Sequence, residues 1–432
     1  MSDLSVLLEA AAVRTALIVD DAFDLVPSAS DLAIDADEWG HFFDDLQVAD
    51  KEAIAKLFPE FDDIRADSLQ KSNEFVAVLW ANKDKVATEA VAPLFQRYEH
   101  DMQTDRRYLT MLREQLESFG LKCEQAGRDF QADAAAVDLI VIDLFLGSGQ
   151  ERQDIERSIR SLRRVIDSRS GRPPLVILMS RSHLLAEQRA DYRDGAGLFE
   201  SAFRIISKSD LERQNKLARI LARLGSHYAD SLKLAAFLNA WNAGMERARQ
   251  RTAIAIRRLD LPEIAQVRQL LLDAEETPTG AYLVDVFDRV LLHELEGEAA
   301  IIDAAIALQS LTTSKYPPPY VAGSRDLQNL VHCSLFQHPQ RLRLPGSDSK
   351  VSFGDLLRRK GSAAEEAKAS GEALQARPPS LLCDITEDQA LAVMSPACDL
   401  QRQGAKRVLL LVGDIRPLVP SEWTYKEVSV VT

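Results

Sequence analysis

The stretch TALIVDD, residues 15–21, decides the fold that this sequence predicts. A mainly apolar run leads directly into two adjacent carboxylates, Asp20 and Asp21. Like charges at the end of a buried strand repel each other and resist desolvation, so the pair requires a nearby cation or a proton. The stretch therefore predicts a buried strand that ends at a charged site.

Three further segments have the same character, and each ends in polar residues. Near-continuous apolar runs are typical of parallel strands that are covered by helices on both faces. Helix-like spacers at 150–169 and 184–195 separate them, and a helix at 104–118 precedes a short strand within 119–127. Alternating strands and helices predict an α/β fold with an open parallel sheet. The three segments are DLIVIDLFLG (138–147), PLVILMSRS (174–182) and FRIISKSDL (203–211).

One spacing is too long for a simple domain of this kind. About 120 residues lie between Asp21 and Asp143, whereas a helix, a strand and a second helix need roughly forty to fifty. The excess falls at about 22–100, which is acidic at its start and rich in aromatic residues. Such a composition predicts a folded insert rather than a disordered loop. The aromatic residues are Trp39, Phe42, Phe43, Phe58, Phe61 and Trp80.

The rest of the chain predicts a different organisation. Helical patterns follow Lys208, with one helix at 211–224 and another at 232–259. We therefore place the first domain at 1–224, a helical region at 225–312, a linker and irregular segment at 313–378, and a small mixed α/β part at 379–432. Strands are expected in the last part within LAVMSPACDL (391–400), KRVLLLVGDI (406–415) and EVSVVT (427–432).

Polar residues follow the strands in a fixed order along the chain. Asp20 and Asp21 come first, then Asp143, then Ser180, then Lys208. Ligands of open parallel sheets bind at the carboxyl ends of the strands, so these side chains are expected to converge. Clustered carboxylate oxygens suit a hard divalent cation such as Mg²⁺, which also removes the repulsion between the two adjacent acids.

This arrangement resembles the receiver domain of two-component response regulators, which has a flavodoxin-like sheet. The residues that carry the resemblance are DD at 20–21, DLFLG from Asp143, MS at 179–180 and Lys208. The resemblance covers residues 14–224, interrupted by the insert. Arg181 departs from it, because the family usually has a small residue after the hydroxyl.

The resemblance implies a role for each of these residues. Asp143 would accept a phosphoryl group from a phosphohistidine, Ser180 would donate a hydrogen bond to it and Lys208 would pair with its charge. Mg²⁺ would be held by Asp21, Asp143 and the backbone carbonyl of Phe145, with Asp20 contributing through water. Proximity, the cation and the lysine would assist a weak carboxylate nucleophile.

The function that follows is a phosphoacceptor protein of a His–Asp phosphorelay, and not an enzyme. Its partner would be a histidine kinase or a phosphotransfer protein, and the helices after Lys208 could form a homodimer. Oversized receivers of this look also resemble signal or phosphate-sink components of bacterial antiviral defence systems. The alternative is an inert receiver-like docking fold that serves a catalytic or effector C-terminal region, with Cys398 as the candidate nucleophile.

Composition bears on the partners. The 432 residues carry a formal charge of −14, which does not favour nucleic acid, because phosphate binding requires clustered Lys and Arg. The basic stretch MERARQRTAIAIRRL (245–259) has an apolar stripe and predicts a packed structural helix rather than a helix that reads DNA.

The cysteines and the termini suggest the compartment. Four cysteines do not form a disulfide framework, so reduced thiols are expected. Zinc is not favoured at His332, Cys333 and His338, since no CxxC pair accompanies them in the sequence. The absence of a basic leader and of a long apolar run predicts a cytoplasmic protein without a membrane segment. The four cysteines are Cys123, Cys333, Cys383 and Cys398.

Overall fold

A computed structural model of the chain divides into two compact units. The first comprises Met1–Asn242 and Ala300–Leu311, and the second comprises Ala243–Ala299 and Thr312–Thr432. The residues that the structure describes are 3–32, 36–147, 152–169, 171–213, 215–273, 278–311, 324–335, 338–343, 353–358, 388–395, 400 and 408–415.

A five-stranded parallel sheet forms the centre of the first unit, and it confirms the predicted α/β fold. Its strand order is β2-β1-β3-β4-β5, and all four strand pairs are parallel. The inner strands β1, β3 and β4 are almost fully buried, whereas the edge strand β2 is mostly exposed. The inner strands therefore have continuous apolar sequences. The strands are β1 (Thr15–Val19), β2 (Lys122–Ala126), β3 (Leu139–Asp143), β4 (Leu175–Ser180) and β5 (Phe203–Ser207).

Successive strand residues point to opposite faces of the sheet, and each face has its own core. Ile18 and Val141 belong to the core that also contains residues of α1, α6 and α9. Leu17 and Ile140 belong to the other core, with residues of α7 and α8. Both faces are thus covered, as a doubly wound sheet requires. These helices are α1 (Asp3–Ala10), α6 (Thr88–Ser118), α7 (Arg152–Ser168), α8 (Arg189–Ala196) and α9 (Lys216–Arg257).

Helices occupy most of the region between β1 and β2. Their aromatic side chains form one cluster around Phe75, whose ring lies 5.3 Å from that of Phe58 and 5.8 Å from that of Phe61. Trp39 stacks on the same ring at 6.3 Å, so the cluster is continuous with the core on one face of the sheet. The helices are α2 (Ala36–Asp45), α3 (Val48–Leu57), α4 (Ala66–Leu69) and α5 (Asn73–Asn82), followed by α6.

The insert was predicted to end near residue 100, but that position lies inside a helix. One helix, α6, runs for 31 residues through that position. A single buried stripe holds it to the core, because buried residues recur every three or four positions. The same helix therefore serves both the insert and the sheet. The stripe consists of Leu94, Tyr98, Met102, Asp105, Leu109, Leu112 and Leu116.

The expected break between two helices near residue 225 is also wrong. Helix α9 is continuous over 42 residues, and the first unit extends to Asn242 rather than to residue 224. Gly225 does not end the helix. A Cβ at this position would lie 2.5 Å from Cδ2 of Leu7, so the glycine allows α1 to approach closely. Tyr228, one turn further, is buried and donates a hydrogen bond to the carbonyl of Pro173.

The second unit contains helices and a small sheet. Its three-stranded antiparallel sheet has the order β6-β7-β8. β8 lies within the expected segment 406–415 and β7 overlaps the start of the expected segment 391–400, whereas EVSVVT (427–432) lies outside the described residues. The strands are β6 (Leu356–Arg358), β7 (Gln389–Val393) and β8 (Leu410–Asp414), and the helices after α9 are α10 (Leu261–Val267), α11 (Thr279–Glu296), α12 (Ala299–Leu308, which straddles the two units) and α13 (Arg325–Leu335).

The segment 313–378 is not irregular throughout. It contains α13 and β6 among its described residues. The hydroxyl of Ser324 accepts a hydrogen bond from the backbone N–H of Leu327, which marks a helix start that was not predicted from the sequence. None of the described helices combines the length and the apolar character needed to cross a membrane.

Candidate functional site at the carboxyl edge of the sheet

The structure brings the side chains at the strand ends together. Nζ of Lys208, which follows β5, lies 2.8 Å from Oδ2 of Asp20 and 2.5 Å from Oδ2 of Asp143. All three side chains are almost completely buried. Ser180 is buried as well, at the end of β4 between the strands that carry Asp143 and Lys208.

Backbone hydrogen bonds fix how these side chains are oriented. Oδ1 of Asp20 accepts a hydrogen bond from the N–H of Ala22, and Oδ1 of Asp143 accepts one from the N–H of Phe145. In both carboxylates the other oxygen is left for Lys208. The hydroxyl oxygen of Ser180 accepts a hydrogen bond from the N–H of Ser182, so its own proton can be donated elsewhere.

A third carboxylate, Asp105, completes the group around Lys208. Its Oδ1 lies 2.8 Å from Nζ of Lys208, and its Oδ2 accepts a hydrogen bond of 3.1 Å from Arg181. Asp105 lies on α6, the helix that comes from the insert, and it was not among the predicted site residues. One signal was present in the sequence: Asp105 is the acidic member of the otherwise apolar stripe of α6.

Asp21 has a different cationic neighbour, Arg128. The guanidinium of Arg128 lies 3.4 Å from Asp21, 3.3 Å from Asp24 and 2.6 Å from Asp31. Its side chain is mostly buried in the loop after β2. Arg128 therefore joins the start of the insert to the end of β1, and it was not among the predicted site residues.

Burial, and after it the neighbouring negative charges, raise the pKa values of the carboxylates at this edge. Burial, together with the neighbouring Asp20 and Asp143, raises the pKa of Asp21 well above its usual range, although Arg128 opposes the rise. Burial raises the pKa of Asp143 to about 7 against the opposing effect of Lys208.

Asp105 and Lys208 are shifted for related reasons. Burial raises the pKa of Asp105, and Lys208 opposes that rise. Burial alone would lower the pKa of Lys208, but the facing carboxylates raise it well above its usual range. The lysine is therefore held as a cation by its neighbours.

A small cavity of about 40 Å³ opens between the strand ends and α6. A volume of this size accommodates a few water molecules or one hydrated ion. Helix α6 covers it on one side through Asp101, Met102 and Asp105. The remaining lining residues are Asp21, Asp143, Phe145, Gly147, Ser180, Arg181 and Lys208.

The donors expected for Mg²⁺ fit such an ion as a two-carboxylate site. Asp21, Asp143 and Phe145 line the same cavity, and Mg²⁺ typically binds one or two carboxylates and retains several waters. The excess of buried negative charge also favours a cation there. Across the described parts of the chain, no group of three or more His, Cys, Asp or Glu side chains is arranged to hold a metal ion. The ammonium of Lys208 contacts Asp20, Asp105 and Asp143.

The possible zinc site and the basic stretch 245–259 receive no support as functional sites from the described residues. His332 and Cys333 lie on α13, Cys333 is exposed, and Nδ1 of His338 accepts a hydrogen bond from the N–H of Gln340. Cys383 and Cys398 lie outside the described residues. Two arginines of the basic stretch are engaged within the second unit, since Arg247 and Arg251 both pair with Glu298.

No family model, no curated protein and no solved structure matches this chain.

Proposed function

We propose that this chain is a phosphoacceptor protein of a His–Asp phosphorelay, and that Asp143 accepts the phosphoryl group. The observation that carries the proposal is the pairing of Asp143 with Lys208 at 2.5 Å on the carboxyl edge of a parallel sheet. The strand order β2-β1-β3-β4-β5 is that of flavodoxin-like folds, whose ligands bind at this edge. The order thus supports the flavodoxin-like, receiver-like fold.

The side chains at the edge suit each step of the transfer. A carboxylate oxygen of Asp143 attacks the phosphorus of a phosphohistidine, the new P–O bond forms, and the P–N bond to the imidazole breaks. Lys208 balances the negative charge of the phosphoryl oxygens, and the free proton of Ser180 is available to one of them.

Mg²⁺ is the cofactor that the donor set suggests. Held by Asp21, Asp143 and the backbone carbonyl of Phe145, with Asp20 contributing through water, it would neutralise charge on the acids and on the transferred group. The protein would hold these oxygen atoms close together at a buried site. Burial, Asp20 and Asp143 disfavour the charged form of Asp21, which a cation would relieve.

We propose further that the chain is not an enzyme and acts through contact with proteins, as a signal or as a phosphate sink in a bacterial defence system. A histidine kinase or phosphotransfer protein would be the donor. A groove at the start of α9 supports docking of an acidic surface, because Arg219 and Arg223 are exposed there. Burial and then Arg223 lower the pKa of Arg204, which indicates crowded positive charge. The groove also contains Arg213 and Lys216.

One observation favours the alternative of an inert docking fold. The ammonium of Lys208 has three protons and already faces three carboxylates, and Asp143 is only 7% exposed. A site closed in this way could hold its charges only for stability and leave the output to the C-terminal region. A phosphorylation assay distinguishes the phosphoacceptor from the inert docking fold.

The test is labelling by a small phosphodonor in the presence of Mg²⁺. Wild-type protein should incorporate phosphate, and the Asp143→Asn variant should not. Lys208→Arg serves as a companion, since it keeps the charge but alters its geometry and should slow the labelling. Equal labelling of wild type and Asp143→Asn would refute the assignment.

A further inference from the structure

Asp105 joins the two cations of the cavity. Among the described residues that line it, Lys208 and Arg181 are the cationic ones. Oδ1 of Asp105 contacts the first at 2.8 Å, and Oδ2 contacts the second at 3.1 Å. The side chain of Asp105 is 9% exposed, so water screens these contacts poorly.

A phosphoryl group on Asp143 would compete for the same two cations. It brings roughly −1.5 to −2 charges and three acceptor oxygens. Nζ of Lys208 contacts the carboxylates of Asp20, Asp105 and Asp143. Once Asp143 carries the phosphoryl group, Asp20 and Asp105 remain as the carboxylates that compete with the phosphoryl oxygens for this lysine. Asp105 is the acid on a helix rather than at a strand end, and it also holds Arg181.

Resting on the proposed function, we propose that Asp105 is a positioning residue that holds Lys208 and Arg181 in the absence of phosphate and yields both to the phosphoryl group. Arg181 then becomes the second cationic partner of the phosphoryl oxygens. Receiver domains usually have a small residue at the position of Arg181. In this chain Arg181 would thus provide an additional partner for the phosphoryl group, and Asp105 would control when it is available.

The release of Asp105 would be transmitted to the insert. Asp105 lies between the buried Met102 and Leu109 on α6, so its displacement changes how this face of the helix meets the edge of the sheet. The same helix holds the loop after Lys208, because Nε2 of Gln115 donates a hydrogen bond to the carbonyl of Leu211. Helix α6 therefore connects the phosphoacceptor site to the aromatic core of the insert.

The experiment compares Asp105→Asn with a matched control, Asp101→Asn. Asp101 lies one turn earlier on α6 and lines the same cavity, but the described contacts of Lys208 and Arg181 do not include it. With a small phosphodonor and Mg²⁺, Asp105→Asn should label Asp143 about tenfold faster than wild type, because a buried negative charge is removed from the path of an anion. Asp101→Asn should change the rate by less than about twofold, since a more exposed charge is screened.

Two further variants separate positioning from a structural role. Asp105→Glu restores the charge and should return the rate towards that of wild type. Arg181→Ala in the Asp105→Asn background should remove most of the gain, because the released Arg181 is then missing. Circular dichroism checks that each variant is folded.

The outcomes separate this inference from the proposed function. If wild type is labelled at Asp143 and Asp105→Asn is no faster, or if Asp101→Asn accelerates equally, the inference is wrong and the proposed function stands. If neither wild type nor Asp105→Asn is labelled at Asp143, the proposed function fails and the inference with it. If Asp105→Asn alone is labelled, the wild-type chain is not a phosphoacceptor, so the proposed function fails and the inference, which rests on it, fails as well.

Discussion

Nζ of Lys208 lies 2.5 Å from Oδ2 of Asp143, although β4 separates the strands that carry these residues. The lysine crosses the end of β4, where Ser180 lies, and also reaches Asp20 beyond β3. One cation thus ties together the carboxyl ends of β1, β3 and β5. This relationship determines both the stability of the edge and its proposed chemistry.

Removal of Lys208 should destabilise the protein strongly. Lys208→Ala leaves Asp20, Asp105 and Asp143 buried without their shared cation, and losing one partner of a buried ion pair costs about 3–5 kcal/mol. Urea unfolding near pH 7.5 measures the loss. Lys208→Ala combined with Asp143→Asn should recover part of it. A loss below about 0.5 kcal/mol would mean that the lysine is not the partner of these acids.

Asp21 should make stability depend on pH. The pKa of Asp21 is higher in the folded state than in the unfolded state, where it is near 3.8. Proton binding by Asp21 therefore stabilises the folded protein fully below the unfolded pKa. This stabilisation is lost as the pH rises through the folded pKa. Asp21→Asn should therefore be more stable than wild type at pH 8, and this advantage should disappear near pH 4. Thermal unfolding at the two pH values measures it. A variant that is less stable than wild type at pH 8 would contradict the sign.

Mg²⁺ should stabilise wild type at pH 8 and stabilise Asp21→Asn less. A ligand that binds only the folded state raises the free energy of unfolding with its concentration. The measurement is the shift in melting temperature between chelator and millimolar Mg²⁺, with Ca²⁺ as the comparison cation. An equal shift in both proteins would place the cation elsewhere.

Arg128 should anchor the insert. Arg128→Ala leaves the buried Asp31 and Asp21 without their guanidinium, so we expect a loss of about 3 kcal/mol in the free energy of unfolding. Arg152→Ala is the matched control, since its ion pair with Glu156 is exposed and contributes at most about 0.5 kcal/mol. If limited proteolysis does not cut within 22–87 of the Arg128→Ala variant any faster than in wild type, the anchoring role is wrong.

The four apolar strands could be predicted because burial on both faces of a parallel sheet leaves a continuous signature in the sequence. The residues at their ends followed from the same argument, so Asp143 and Lys208 were predicted to meet. The sequence could not place Asp105, because its role depends on α6 lying over the edge of the sheet. Arg128 was missed for the same reason, since its partners are distant in the sequence.

Gly225 shows why the helix boundaries were harder to predict. A glycine usually marks a possible helix end, and here it instead gives room to Leu7 of α1. Close approach of another element has no local signal in the sequence. The same applies to α6, whose stripe from Leu94 to Leu116 indicates one helix only when the insert is known to be continuous with the core.

The most direct test of the central claim is to trap the phosphorylated residue. Protein treated with a small phosphodonor and Mg²⁺ is reduced with borohydride, which converts an aspartyl phosphate to homoserine, and peptide mass spectrometry then locates the change. We predict homoserine at position 143 in wild type and nowhere in Asp143→Asn. Homoserine at another aspartate, or its absence from a wild-type protein that remains folded, would contradict the account.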